Sequence, residues 1–228
     1  MMSPSPQPFV VAIDGPAGAG KSTVARGLAA RLGYTFLDTG ALYRSVALIA
    51  RRRKIDWDDP VHLGDLARDL EVVFVKDGDA ARVMADGADV TMDIRKSDIS
   101  EGASRVSALP EVRAGLLEIQ RRVAARASVV AEGRDIGTVV FPAAQAKFFL
   151  VANPETRARR RTLELAAAGR SAVFADVLAE MQARDARDSG RAVAPMRRAE
   201  YAIEIDSSGL TPDEVMERMM AYVRARGG

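Results

Sequence analysis

The most specific chemistry in the chain lies near its start. Gly15-Pro16-Ala17-Gly18-Ala19-Gly20-Lys21-Ser22, followed by Thr23, sets glycines five positions apart and follows the second with Lys and Ser. Glycines let a turn bend until successive backbone N–H groups point inward. Those donors, with the positive end of a following helix, bind phosphate oxygens. Lys21 would place a compact charge on terminal phosphates, and the Ser22 hydroxyl suits Mg²⁺. A chance Gly-Ala turn is the alternative, disfavoured by placement in the first strand–helix unit of the chain. The pattern therefore reads as a polyphosphate site.

Such a loop does not by itself separate a switch GTPase, a motor ATPase and a small-molecule kinase. The string N-K-x-D that reads guanine is absent, Glu132 is not part of a double acid, and the chain is short for an assembled motor. The acceptor side must decide. Asp38-Thr39-Gly40-Ala41-Leu42-Tyr43-Arg44 follows a strand, and strand carboxyl ends border the ligand crevice of an open parallel sheet. Arg44 either meets an anion there or lies on a solvated helix face. Glu132-Gly133-Arg134-Asp135 ends another strand on the same edge, so two unrelated strand ends each offer an Arg. Arg184, Asp188 and Arg191 have the spacing of one helix face, either an ion-pair ladder or part of a site. Arg157, Arg160 and Arg161 also share a face. Their mutual repulsion fits a lid that closes over phosphates, and a solvated helix would tolerate it too.

The elements that must position these groups alternate. Strands are expected at Phe9–Asp14, Thr35–Asp38, Ser128–Glu132, Lys147–Val151 and Ala202–Asp206, separated by helices, which predicts a five-stranded parallel sheet covered on both faces. Helix starts are marked by Asp59-Pro60, by Ser171 as a cap, and by the capping box Thr211-Pro212-Asp213-Glu214. Between Glu71 and Thr91, three β-prone runs are separated by KDGD and ADGAD, whose Asp-Gly pairs signal hairpins and a small antiparallel sheet. The expected division is a P-loop core of 9–64 and 108–228, with a lid at about 153–170, and an inserted subdomain of 65–107. His62 and Trp57 read as structural or surface residues.

Composition excludes other classes. The 228 residues include no Cys and one His, so thiolate metal sites, disulfides and two-imidazole mechanisms are ruled out. No apolar run is long enough to span a membrane, and the start, MMSPSPQP, lacks the features of a signal peptide and reads as an extended tail. Cytoplasmic residence and a monomer are the expectations. The net charge of +2 is too small to imply a nucleic-acid coat, although Arg outnumbers Lys by 28 to 5. That bias reflects either a site crowded with anions, which Arg grips better, or an encoding genome rich in Arg codons.

Taken together, IDGPAGAGKST, LDTGALYR, ASRVSALPEVR, VVAEGRDIGTVVFP, RARRR, ARDARDSGRAVAP and DSSGLTPDEV resemble the bacterial cytidylate kinases, from Ile13 to the last helix. The resemblance implies the nucleoside monophosphate kinase fold, a P-loop α/β core with an arginine-bearing lid, and transfer of phosphate from ATP to CMP or dCMP with Mg²⁺. It places cytosine contacts on Ser104, Arg113 and Asp135, and ribose contacts on Arg184 and Asp188. Acceptor-phosphate contacts fall on Arg44, Arg134 and Arg191 with Thr39 nearby, and Arg157, Arg160 and Arg161 on the transferring phosphate. Partners are then small nucleotides, not nucleic acid or membrane. After Ala194-Pro195 the family's usual Leu, second Pro and Asp give way to Met196–Tyr201. The rival readings are a same-fold kinase of another acceptor, such as UMP, and an RNA-stimulated ATPase.

Overall fold

The computed structural model describes residues 8–77, 80–167 and 169–228. Most of the MMSPSPQP tail and part of the KDGD turn lie outside the described residues. The chain separates into two compact units.

The larger unit comprises the described residues up to Leu37, Gln120–Gly190 and Pro195–Gly228. Its strands are β1 (Val10–Asp14), β2 (Thr35–Asp38, whose last residue opens the second unit), β6 (Val129–Gly133), β7 (Ala146–Val151) and β8 (Ile203–Asp206). They form one parallel sheet in the order β2-β6-β1-β7-β8, as the alternation of elements predicts. Interior β6 is buried at every residue, its apolar Val129–Ala131 run ending in the buried acid Glu132, so it does not alternate as a half-exposed strand would. Helices α1 (Lys21–Leu32) and α8 (Pro212–Ala225) pack together beside the sheet. Ile13, Leu28, Phe148, Leu150 and Met219 are fully buried in this core, each stabilising the fold by roughly 1.5–3 kcal/mol. The capping box at α8 forms as expected: Thr211 Oγ1 accepts from Glu214 N–H, and Glu214 accepts from Thr211 N–H.

In the same unit, α6 (Pro154–Ala167) and α7 (Phe174–Gly190) pack side by side around a small cluster of Ala158, Val177 and Met181. This is the expected lid region. Ser171 does not cap α7. The helix begins at Phe174, where Val177 N–H reaches back to the Val173 carbonyl, and Ala172 is drawn into the apolar cluster instead.

The smaller unit comprises Asp38–Ile119 and Arg191–Ala194. It holds α2 (Thr39–Arg52), α3 (Pro60–Asp69), the antiparallel strands β3 (Val72–Asp77), β4 (Ala80–Ala85) and β5 (Ala88–Asp89), α4 (Ser97–Val106), and the first turns of α5 (Pro110–Ala124). The expected inserted segment of 65–107 is narrower than this. Leu42, Leu48, Leu63, Ile99, Val112 and Leu116 share one core, so α2, α3 and the start of α5 belong with the small sheet. Asp59 caps α3 by accepting from His62 N–H, and the Asp86-Gly87 pair makes the turn between β4 and β5 with φ of 47° and 76°, the left-handed pairing that a tight hairpin needs. Trp57 packs on this core with its Nε1–H on the Ala47 carbonyl, while His62 is exposed and paired with Asp59.

Candidate active site

The P-loop starts where β1 ends. Gly15 has φ +142°, and a Cβ there would overlap the Leu150 carbonyl oxygen of β7, so only glycine lets the chain turn this close to the sheet. A Cβ on Gly18 would come within 2.7 Å of Met181 Cε and 3.2 Å of Arg157 Cβ, so the loop lies directly against α7 and α6. α1 has no side-chain cap at its N-terminus. Its first backbone N–H groups are thus left to the kind of anion that helix starts bind.

Lys21 is the first residue of α1 and is buried. Its Nζ donates to the Pro16 carbonyl at 2.7 Å, folding the ammonium back across the loop. Burial pushes its pKa down to about 7, and the nearby guanidiniums of Arg134 and Arg184 act in the same direction. Glu132 and Asp14 oppose them. Ser22 and Thr23 follow on the exposed side of the first turn.

Behind Lys21, Asp14 closes the end of β1. Its carboxylate accepts from Ile136 N–H at 2.7 Å and Gly137 N–H at 2.8 Å, pinning the π-helical turn of residues 136–140 to the strand that leads into the P-loop. Burial nonetheless pushes the Asp14 pKa up to about 6 against those two hydrogen bonds. The pinned turn follows Arg134 and Asp135 directly. Arg134 Nε donates to Asp188 Oδ2 at 2.8 Å, and Arg184 Nε lies 3.9 Å from the same oxygen. Asp135 and Asp188 are both buried. The larger unit thus gathers Lys21, Arg134, Arg184 and Asp188. Met196 N–H donates to the Asp188 carbonyl at 2.8 Å, so the unusual Met196–Tyr201 run is anchored to α7 at its first residue.

The three arginines of α6 diverge. Arg157 is buried: Nε donates to the Ala152 carbonyl, and Nη1 to the Ala17 carbonyl at 3.0 Å and to Asp185 Oδ2 at 2.6 Å. Arg160 donates to the carbonyl and hydroxyl of Ser207. Arg161 pairs with Glu164 one turn along.

In the smaller unit, Asp38 caps α2, so the helix starts at Thr39 and Arg44 falls on its second turn. Asp38 Oδ2 also accepts from Arg44 Nη2 at 3.0 Å. Arg191 is not on α7. That helix ends at Gly190, and Arg191 belongs to the smaller unit. There Arg191 Nη1 donates to Ser107 Oγ at 3.0 Å, Ser107 Oγ donates to the Ser104 carbonyl, and Arg113 Nη1 donates to the Ser107 carbonyl. The Arg113 guanidinium also lies over the Tyr43 ring, 5.7 Å from its centroid. Ser104, Arg113 and Arg191 are therefore held around one residue, Ser107.

The arrangement is a phosphate-binding loop beside a cluster of cations, with a second cation cluster in the other unit. A family model described as cytidylate kinase matches residues 11–225. The chain is 52% identical over 217 residues to a cytidylate kinase of Geobacter sp. (strain M21), covering 95% of this chain and 93% of that one. It is 47% identical to a cytidylate kinase of Vibrio parahaemolyticus, covering 97% and 98%. The chain belongs to the cytidylate kinase family. A crystal structure of an uncharacterized protein from Eubacterium ventriosum, 14% identical, superposes with a TM-score of 0.54 over 95% of this chain and 99% of that one, a likeness of fold.

For a cytidylate kinase family member, sequence reasoning missed four structural partners of the site. Asp14, Asp185, Ser107 and Ser207 each hold a named site residue or its loop. Asp14 ends an apolar strand, Asp185 sits one residue after Arg184, and both are buried acids or nearly so. A carboxylate beside expected cations was the available signal for those two. No local pattern marks either serine.

Proposed function

We propose that the chain transfers the terminal phosphoryl group of ATP to CMP or dCMP, giving ADP and CDP or dCDP. The observation that supports it most is the cation set around Lys21. Arg134 and Arg184 lie close enough to lower its pKa, an arrangement that becomes favourable once polyphosphate anions enter among them. Lys21 and the P-loop amides hold the ATP phosphates. Within the larger unit, Arg134 faces the acceptor phosphate, Arg184 and Asp188 the ribose, and Asp135 the exocyclic amine of cytosine. Within the smaller unit, Arg44, Arg191 and Thr39 serve the acceptor phosphate, and Arg113 and Ser104 the base. Arg157, Arg160 and Arg161 neutralise charge on the transferring group.

Ser22, exposed on the first turn of α1, offers one hydroxyl. That fits Mg²⁺, which keeps most of its shell as water and phosphate oxygens. When bound, the metal would neutralise charge between the β- and γ-phosphates. The acceptor oxygen is already ionised near neutral pH, so no general base is needed. Positioning and charge neutralisation carry the rate. Cytosine selectivity follows from polarity. Uracil would set a carbonyl against the Asp135 carboxylate and a ring N–H against Arg113, and mispaired buried polar groups discriminate strongly.

Among the described residues no helix is long and apolar enough to cross a membrane. We place the enzyme in the cytoplasm as a monomer acting on free nucleotides. The test is a coupled assay with ATP and Mg²⁺ against CMP, dCMP, UMP and AMP. CMP and dCMP are expected to turn over best. Asp135→Ala is expected to raise KM for CMP at least tenfold with KM for ATP little changed. UMP preferred over CMP, or equal losses for both nucleotides in the variant, would overturn the assignment.

A further inference from the structure

Arg44 is held in one orientation by two neighbours that have no assigned part in the reaction. Asp38 accepts from Ala41 N–H through Oδ1 at 2.8 Å and from Arg44 Nη2 through Oδ2 at 3.0 Å. The same carboxylate caps the helix and folds the guanidinium back over the first turn. Gly40 lies beneath it: a Cβ there would come 2.9 Å from Arg44 Nη1 and 3.2 Å from Asp38 Oδ1. The Arg44 Nε–H is buried and has no hydrogen-bond partner among the described residues. That nitrogen is shut off from solvent, so an anion would meet the guanidinium at its partly exposed end, the side chain as a whole being 23% exposed.

Gly40 occupies the first turn of α2, and its φ is not in the left-handed region that favours glycine. The backbone therefore does not call for it, and the space under the guanidinium does. The atoms a methyl group would meet include the far end of a flexible side chain, so the methyl would displace the Arg44 guanidinium and leave the helix in place.

We infer that Gly40 and Asp38 are positioning residues that aim Arg44 at the acceptor phosphate, Gly40 by leaving room for the folded-back guanidinium and Asp38 by clamping it. The inference rests on the proposed role of Arg44, and the experiment separates the two. Gly40→Ala, Asp38→Asn, Arg44→Ala and the double variant Gly40→Ala/Arg44→Ala are compared by thermal melting and by KM for CMP and for ATP. Gly40→Ala is expected to melt at or above the wild-type temperature while KM for CMP rises about tenfold, as for a misaligned charge-assisted hydrogen bond. KM for ATP should stay within about twofold, and the double variant should be no worse than Arg44→Ala, because Gly40 acts through Arg44. Asp38→Asn keeps an oxygen for the cap and removes the charge facing Arg44, so it should raise KM for CMP with a smaller effect. If Arg44→Ala raises KM for CMP and a stable Gly40→Ala does not, the positioning role of Gly40 is wrong. If Gly40→Ala melts several degrees lower, Asp38→Asn decides, and an unchanged KM for CMP in it overturns the clamp. If Arg44→Ala itself leaves KM for CMP unchanged, the role of Arg44 falls and the inference with it.

Discussion

Binding of ATP should draw a proton onto the enzyme above neutral pH. Without nucleotide, Lys21 is buried against the Pro16 carbonyl with a pKa of about 7, lowered by burial and by Arg134 and Arg184. Phosphate oxygens would pull it back toward the ordinary value of 10.5. At pH 8 about nine-tenths of the free enzyme would carry a neutral lysine and nearly all of the complex a charged one, so about 0.9 proton is taken up per nucleotide, against about 0.1 at pH 6. Restoring the full value corresponds to at most ~5 kcal/mol of linkage, and affinity should fall up to about tenfold per pH unit above 7. Calorimetric titration of ATP without acceptor, run in two buffers of different ionisation enthalpy, counts the protons directly. ATP is fully ionised at pH 8, so the uptake is the protein's. Lys21→Met should abolish most of it. Arg134→Ala, which removes the strongest of the depressing charges, should reduce it by leaving the free lysine more protonated. Equal heats in the two buffers at pH 8 would refute the reasoning.

Two further outcomes follow from the same buried charges. The Asp14 pKa is about 6 in the fold against 3.8 ordinarily, so the native state binds the extra proton between those values. This contribution is fully present below about pH 4 and is lost as pH rises through 6, by up to ~3 kcal/mol. Denaturant midpoints of Asp14→Asn should lack that part of the slope, and a wild-type-to-variant difference that stays constant from pH 4 to 7 would count against it. Arg157→Ala leaves the Asp185 carboxylate, half-buried on α7, without its 2.6 Å partner, a loss of about 3–5 kcal/mol where such pairs are buried. Amide exchange should quicken across residues 154–190 while α1 and α8 keep their protection. Unchanged exchange across α6 and α7 would show that the pair holds nothing in place.

The core was readable because its signals are local. Val10–Asp14 is an apolar run that a buried parallel strand requires, Thr211 and Glu214 stand at the spacing of a capping box, and Asp86-Gly87 forces a tight hairpin. Failures occur where partners are distant in sequence. Asp14 receives N–H groups more than 120 residues away, so nothing in FVVAID shows that its carboxylate ties two loops together. Arg191 keeps helical spacing with Arg184 and Asp188, but α7 ends at Gly190, and Arg191 turns to Ser107. The boundary at Asp38 was missed for a related reason. Residues 39–52 look like one more crossover helix, and only the shared core with α3 and α4 assigns them to the smaller unit.

The arginine run of α6 shows how far residue type is from role. Spacing alone makes Arg157, Arg160 and Arg161 equivalent, yet their present partners differ in what it costs to leave them. Arg161 holds Glu164 in a pair whose acid is 64% exposed, worth at most ~0.5 kcal/mol, so it can turn to a phosphate almost freely. Arg160 would give up two hydrogen bonds to neutral Ser207 groups, about 1 kcal/mol each. Arg157 would strand Asp185 and release the Ala17 carbonyl, the costliest move of the three. The guanidinium nearest the P-loop is therefore the one least able to move, and it is suited to act from where it stands. The two outer arginines are suited to swing inward. If α6 closes over phosphates as proposed, one cation would stay fixed beside the loop and the others would be recruited only when an anion offsets their departure.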